Sequence, residues 1–249
     1  VRFRVAFASD AQKVGSGVAF DDVFIGNRQK ILLHEYFTNS SSSDCKETDI
    51  LVDDVIASRS TPRDIVDLQF HTSNPSGDPM NAVSPDASSS RENNYSVPSV
   101  PYSAYGGNVF LGHTNKWISD HSSNILLDAL LDPKFLIKMG VFKATDGVID
   151  IQIDLEANED LNINPLVYVA FVEKTVSAIS SNGDTEFKNV VRHVLPYRGT
   201  LPVTWLKGDV ERITVSWNQE FFDDDSDILV VAFIQNIATN ISDREVLQV

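Results

Sequence analysis

Residues 31–46 read ILLHEYFTNSSSSDCK, and this stretch decides how the whole chain is read. Ile31 to Phe37 is a strand-length apolar run, Thr38 to Asp44 is polar and turn-forming, and a helical stretch follows from Lys46 to about Ser58. On that helix Ile50, Leu51, Val55 and Ile56 share one stripe, with Asp44 expected as N-cap, where a side-chain oxygen satisfies free backbone N–H groups. Pro62 turns the chain into Ile65 to Phe70 (IVDLQF), a second strand. Strand, helix and strand in this order imply a parallel crossover unit.

A strand-to-helix junction of this kind is where a thioredoxin-type redox centre sits. It needs two cysteines separated by two residues, with the helix N-terminus stabilising the thiolate of the first. Cys45 stands at the second position and Ser42 at the first. Serine has no redox chemistry, so disulfide exchange within the site is impossible. Val100-Pro101 is the companion element, because a thioredoxin-like fold places a cis proline at the start of the strand facing the cysteine pair. The reading is a degenerate thioredoxin-like α/β domain with vestigial redox positions Ser42, Cys45 and Pro101, and with no catalytic or cofactor-binding residues. Cys45 is expected to be a small, partly buried side chain. The competing reading makes it the nucleophile of a single-cysteine thiol oxidoreductase or peroxide-reactive enzyme.

Outward from this unit, residues 72–99 are poor in apolar residues and rich in Ser, Asn, Pro and Asp. They read as a long exposed excursion with room for a short helix around Ser88 to Tyr95. Val100 to Tyr102 and Asn108 to Gly112 flank a Gly106-Gly107 hairpin turn, and Trp117 to Leu131 has helical spacing, ended near Pro133. Beyond residue 134 come strand-like runs at Phe135 to Phe142, Gly147 to Leu155, Pro165 to Glu173, Asn189 to Leu195, Arg212 to Trp217 and Ile228 to Gln235. Short strands at even spacing predict an antiparallel, Ig-like β-sandwich. At the other end, Val1 to Phe7 alternates apolar and basic residues, and Gly17 to Ile25 is a second strand-like run. The expected organisation is therefore an α+β multidomain chain: residues 1–29 as the closing strands of a β-sandwich, 30–134 thioredoxin-like, 135–249 a β-sandwich.

The chain has 249 residues, 35 acidic against 20 basic, for a formal charge of −15. That balance repels phosphate backbones and disfavours nucleic acid as a partner. One cysteine excludes an internal disulfide framework and a multi-cysteine metal site. No apolar run approaches the roughly 20 residues of a membrane helix. The five histidines show no metal-binding spacing, and no G-x-S-x-G elbow, phosphate loop or dinucleotide fingerprint occurs, although a serine triad can still assemble from distant residues.

The order LLHEYFTN, cysteine, helix, VDLQFHT, the Tyr95 to Val97 step, SVPY, glycine turn and Trp-led helix resembles the Omp28-related outer-membrane protein family of Bacteroidetes-type bacteria. VYVAFVEKTV, NVVRHVLP with Gly199, and ILVVAFIQN near the terminal EVLQV are similar to that family's trailing β domain, so the resemblance spans roughly residues 30–249. Members commonly carry a full cysteine pair, and Ser42 departs from that pattern. FRVAFASD and GSGVAFDDVFIG separately resemble the last strands of MAM-like or jelly-roll domains, in which an Asp of this strand often helps hold a structural Ca²⁺. That resemblance makes Asp21 or Asp22 a calcium ligand; adjacent aspartates also simply mark a solvated strand edge. Asp223, Asp225 and Asp227 crowd a second acidic turn, where oxygen-only ligands suit Ca²⁺ and a solvated turn is the other reading.

Together these features predict a non-catalytic binding or scaffold protein, secreted or held at the bacterial cell surface or outer membrane as part of a larger adhesion or outer-membrane assembly. It would not span the membrane itself, and it would engage protein partners through the exposed 72–99 segment.

Overall fold

A computed structural model describes residues 29–59, 64–143, 148–218 and 227–249. Strands β1 (Leu32–Thr38) and β2 (Ile65–His71) pair in parallel, Leu32 against Ile65 through Thr38 against His71, and α1 (Ser43–Arg59) crosses between them. The helix turns inward a face other than the one its apolar residues suggest. Cys45, Thr48, Val52 and Val55 are buried at helical spacing, while Ile50 and Leu51 are 57% and 46% exposed. Polar Thr48 and Asp49 lie on or beside the inward face, so counting apolar residues alone selects the wrong stripe. Asp44 falls inside the first turn, and Ser42 Oγ instead accepts the Cys45 N–H at 3.4 Å.

The excursion at 72–99 is more ordered than its composition suggests: α2 (Pro79–Val83) and α3 (Pro85–Tyr95) occupy most of it. The Trp-led stretch divides into α4 (Thr114–Asp120), a 3₁₀ turn at Ser122–Asn124 and α5 (Ile125–Asp128). Ser122 Oγ donates to the Ile118 carbonyl at 2.6 Å, the local bonding by which serine competes with a continuing helix.

Next to β1 lies the hairpin of β3 (Tyr102–Tyr105) and β4 (Phe110–His113). The later strands are β5 (Phe135–Lys143), β6 (Val148–Ala157), β7 (Leu161–Asn162), β8 (Pro165–Ser177), β9 (Glu186–Pro196), β10 (Thr204–Trp205), β11 (Val210–Asn218), β12 (Ile228–Asn236) and β13 (Val246–Gln248). They do not build a sandwich from two sheets of their own. An eight-stranded mixed sheet runs β13-β12-β8-β9-β2-β1-β3-β4, and β11, β6 and β5 form a second, antiparallel sheet against part of it. The large sheet thus crosses the division expected at residue 134, through the parallel pairing of Gln69 in β2 with Val190 in β9. The coarse class, mixed α and β around a large mixed sheet, is as expected.

This sheet curls far enough for its β13 end to meet the β3–β4 turn. Val246 N–H donates to the Gly106 carbonyl, and Gly106 N–H to the Leu33 carbonyl, both at 2.9 Å. The approach requires glycine at 107, where φ is +79° and a Cβ would strike the Arg244 backbone. On one face, Leu33, Phe37, Phe70, Ala170 and Phe233 pack against Ala87 and Tyr95 of α3. On the other, Leu32 and Tyr36 meet Val52 and Trp117, whereas Val169 and Phe171 meet Ile151, Ile213 and Trp217 of the smaller sheet.

Inside the curl α3 inserts a charge. Arg91 is 1% exposed, and its Nε and Nη2 donate to the two carboxylate oxygens of fully buried Glu35 at 2.6 and 2.9 Å. Tyr95 hydroxyl donates to the same carboxylate at 2.5 Å, and Gln235 of β12 accepts from Arg91 at 3.0 Å. The guanidinium lies 4.6 Å from the Tyr168 ring and 5.3 Å from Phe233. Burial by itself lowers the Arg91 pKa; Glu35 reverses this and holds it above the ordinary arginine value. Removing one member leaves the other charged and unpaired in the interior, so Arg91→Ala should cost about 3–5 kcal/mol in urea unfolding. The double change Glu35→Gln, Arg91→Met should cost clearly less; equal losses would show that charge pairing is not what matters here.

Candidate functional site

The C-terminal ends of β1 and β2 open onto the junction that carries Ser42 and Cys45. Asn39 locks the loop: its Nδ2 donates to the carbonyls of Thr72 and Pro75, both at 2.7 Å, and its Oδ1 accepts the Ser41 N–H at 2.7 Å. Asp78 gathers the other side. It accepts from Ser40 N at 2.7 Å and His71 Nδ1 at 2.8 Å, and caps α2 through Met80 N and Asn81 N. Although burial pushes the other way, His71 and these backbone donors hold the Asp78 carboxyl below its usual range. Pro101, joined to Val100 by a cis peptide, directly precedes Tyr102, which pairs with Phe37. It therefore stands beside the end of β1 from which the junction departs.

Cys45 is fully buried, and burial raises its thiol above the ordinary value, against weaker hydrogen bonds from Ser42 and Thr38 that lower it. This is the wrong direction for a nucleophilic thiol. The tip of the β8–β9 hairpin lies across the junction: Asn182 N donates to the Ser40 carbonyl at 3.2 Å and Asn182 Nδ2 to the Ser42 carbonyl at 3.3 Å. Lys46 Nζ reaches the Asn182 carbonyl at 3.0 Å and Asp184 at 3.4 Å. A cavity of about 70 Å³ is left beside it, lined by residues including Lys46, Asp49 and Asp184. Four buried polar atoms around the junction lack partners: Ser40 Oγ, Ser41 Oγ, His71 Nε2 and Asp184 Oδ2.

One helical turn beyond Cys45, Asp49 accepts from Tyr36 hydroxyl at 2.5 Å and Thr38 Oγ1 at 2.8 Å. Burial nevertheless pushes its carboxyl up to about 6. Between about pH 4 and 6 the folded chain keeps a proton that the unfolded chain has released, so Asp49 costs stability above pH 6 and none below pH 4. The cost is roughly 3 kcal/mol. Asp49→Asn should therefore gain stability relative to the parent as pH rises from 4 to 7.5, by up to that amount, in denaturant titrations at the two pH values. A constant difference would count against a strained carboxylate.

The serine triad that sequence leaves open does assemble, from three neighbouring strands. His34 Nδ1 lies 2.7 Å from Asp67 Oδ1, and His34 Nε2 lies 2.8 Å from Ser103 Oγ. His34 also stacks on Trp117 at 3.9 Å. The alignment is sealed, because His34 and Ser103 are fully buried and Ser103 is bonded to Thr114 as well. No acyl group can reach that hydroxyl, so the three residues tie β1, β2 and β3 together. Only the strand register, with His34 opposite Asp67, brings them into line.

Of the acidic positions, Asp21, Asp22, Asp223 and Asp225 lie outside the described residues. Asp227 is engaged by Lys174 at 3.8 Å and by the Thr175 N–H at 3.1 Å. Among the described residues no group of three His, Cys, Asp or Glu side chains is placed to hold a metal, and no helix is long and apolar enough to cross a membrane.

The fold resembles that of HBP35 of Porphyromonas gingivalis. The likeness has a TM-score of 0.66 over 90% of this chain and 75% of that one, at 14% identity, which speaks for the fold alone. No protein-family model matches the chain, nor does any curated protein. A fold neighbour from the Bacteroidetes is the coarse part of the resemblance read from sequence; the Omp28-related family itself finds no match.

Proposed function

We propose that this chain is a non-catalytic binding and scaffold protein of the bacterial cell surface, built on a degenerate thioredoxin-like unit continuous with an Ig-like β unit. The observation that carries the reading is the dismantled junction. Ser42 stands where the attacking thiol would be, Cys45 is fully buried, and the β8–β9 hairpin hydrogen-bonds across the loop between them. An enzyme using one thiol needs it exposed and acidic, and Cys45 has neither property. Surface association is supported by the acidic composition, by the Omp28-related motif order and by the Bacteroidetes fold neighbour.

Recognition does not sit on an exposed 72–99 loop in this proposal. That segment supplies core residues Arg91 and Tyr95, so deleting it would remove part of the fold rather than only a binding surface. The free edges of α2 and α3 are what remain for a partner. Calcium stays part of the proposal, at Asp21 or Asp22 on the jelly-roll resemblance and at Asp223, Asp225 and Asp227 on charge density.

Two measurements test the reading. Native Cys45 should resist a thiol-alkylating reagent for hours at pH 8 and react at once in 8 M urea, and the chain should give no insulin-disulfide reduction with dithiothreitol beyond the reagent's own rate. Fast native alkylation with an apparent pKa below 8, or catalytic turnover, would overturn it.

A further inference from the structure

We propose that the free edge of β5 and the apolar groove beside it are the docking site of this chain's own amino-terminal segment, with residues 1–7 added as a fourth strand of the smaller sheet. The groove holds about 570 Å³ where α1 finishes and β1, β2 and β12 begin, and is walled by Ile56 of α1, Ile137 and Met139 of β5, and Leu229 and Val230 of β12. This docking does not depend on the scaffold reading above.

The smaller sheet supplies the first reason, because its two edges are finished differently. Its strands lie in the order β11-β6-β5, so among the described residues β5 has a hydrogen-bonded neighbour on one side only. Met139 and Val141 stand opposite Ile153 and Ile151 of β6, and residues paired in this way share a face, here the one turned to the core. Ile151 and Ile153 are fully buried, and on the β11 edge Ile213 and Val215 are buried too. Met139 and Val141, by contrast, are 40% and 47% exposed. A core face that ends in exposed apolar side chains beside a free strand edge is one strand short.

The path of the chain supplies the second. Ile31 itself lines the groove. Its N–H donates to Gln248 Oε1 at 3.0 Å, and Gln248 Nε2 donates to the Gln29 carbonyl at 2.9 Å, so the entering backbone is fastened at the groove's rim. Residues 1–28, outside the described residues, lead directly into this point. The connection between Phe7 and Ile31 has 23 residues, and a chain of that length typically spans roughly 25 Å, close to the ~30 Å of nine-residue β5. Matched in this way, the tether holds residues 1–7 near the edge at an effective concentration on the order of millimolar.

Pattern and charge supply the third. An edge with one face on the core and one in water calls for a half-buried strand, and VRFRVAF alternates as such a strand must: Val1, Phe3, Val5 and Phe7 on one side, Arg2 and Arg4 on the other. The groove's polar lining groups are already paired, Asp67 with His34 at 2.7 Å and Asn189 with Asp67 at 3.4 Å, which leaves aliphatic walls for the apolar side. On the outward face of the smaller sheet Asp150, Asp154 and Glu156 outnumber Lys138 and Arg212, so the two arginines meet acidic surroundings.

The test measures amide hydrogen exchange along the intact chain. Residues 1–7 are expected to exchange at least about tenfold more slowly than the same sequence as a free peptide. Phe3→Asp should abolish that protection and lower the protection of residues 135–143, and Val141→Asp should release residues 1–7 from the other side. Arg4→Ser, on the outward face, should leave both stretches nearly unchanged. Unaltered exchange in β8 and β9 shows in each variant that the fold persists. Free exchange of residues 1–7 in the intact chain, or equal effects of Phe3→Asp and Arg4→Ser, would sink the proposal. Protection that appears only with a dimer in sedimentation, as the chain is raised from about 1 to about 100 µM, would assign the edge to a second copy and sink it equally. The same holds for a lipid extracted from the groove while residues 1–7 exchange freely.

Discussion

A single buried ion pair sets the terms for the rest of this molecule. Arg91 and Glu35 are each shut away from water, and neither could be there without the other. Their partners come from every part of the fold: Glu35 from β1, Arg91 and Tyr95 from α3, Gln235 and Phe233 from β12, Tyr168 from β8. Pairing this guanidinium brings strands more than a hundred residues apart together around one helix, on the concave side of the eight-stranded sheet.

The same closure covers the β1–α1 junction. Once β8 and β9 lie in the sheet beside β2, their hairpin tip is carried over the β1–α1 loop, and Asn182 and Lys46 fasten it there. Ser42 and the hairpin tip thus meet at one place, with Asn182 bonded to the Ser42 carbonyl. Beside the junction, burial makes the Asp49 carboxyl costly at neutral pH.

What could be read along the chain was local. Alternating and continuous apolar runs located β5, β6, β8, β9, β11 and β12 to within a few residues, though not the two-residue β7 and β10, and the Ser42 and Cys45 spacing pointed to the junction, because strand period and helix start leave their mark on neighbouring residues. Where inward positions are polar, the same signals misled. Thr48 and Asp49 moved the apparent stripe of α1, and the SSSREN composition of α3 allowed a short helix from Ser88 to Tyr95 but gave no sign that it fills the concave side of the sheet. His34, Asp67 and Ser103 carry no motif at all, since their alignment exists only across three strands.

The sequence by itself therefore determined most of the longer strands, the crossover helix, the single cysteine and the acid surplus, all properties that depend on a residue and its near neighbours. Tertiary structure alone decided that Gln69 pairs with Val190, that Cys45 is buried, and that Glu35, Arg91 and Gln235 share one network. The physical reason is that a buried polar group is stable only with a partner, and in this chain those partners are supplied from distant positions that no local pattern encodes.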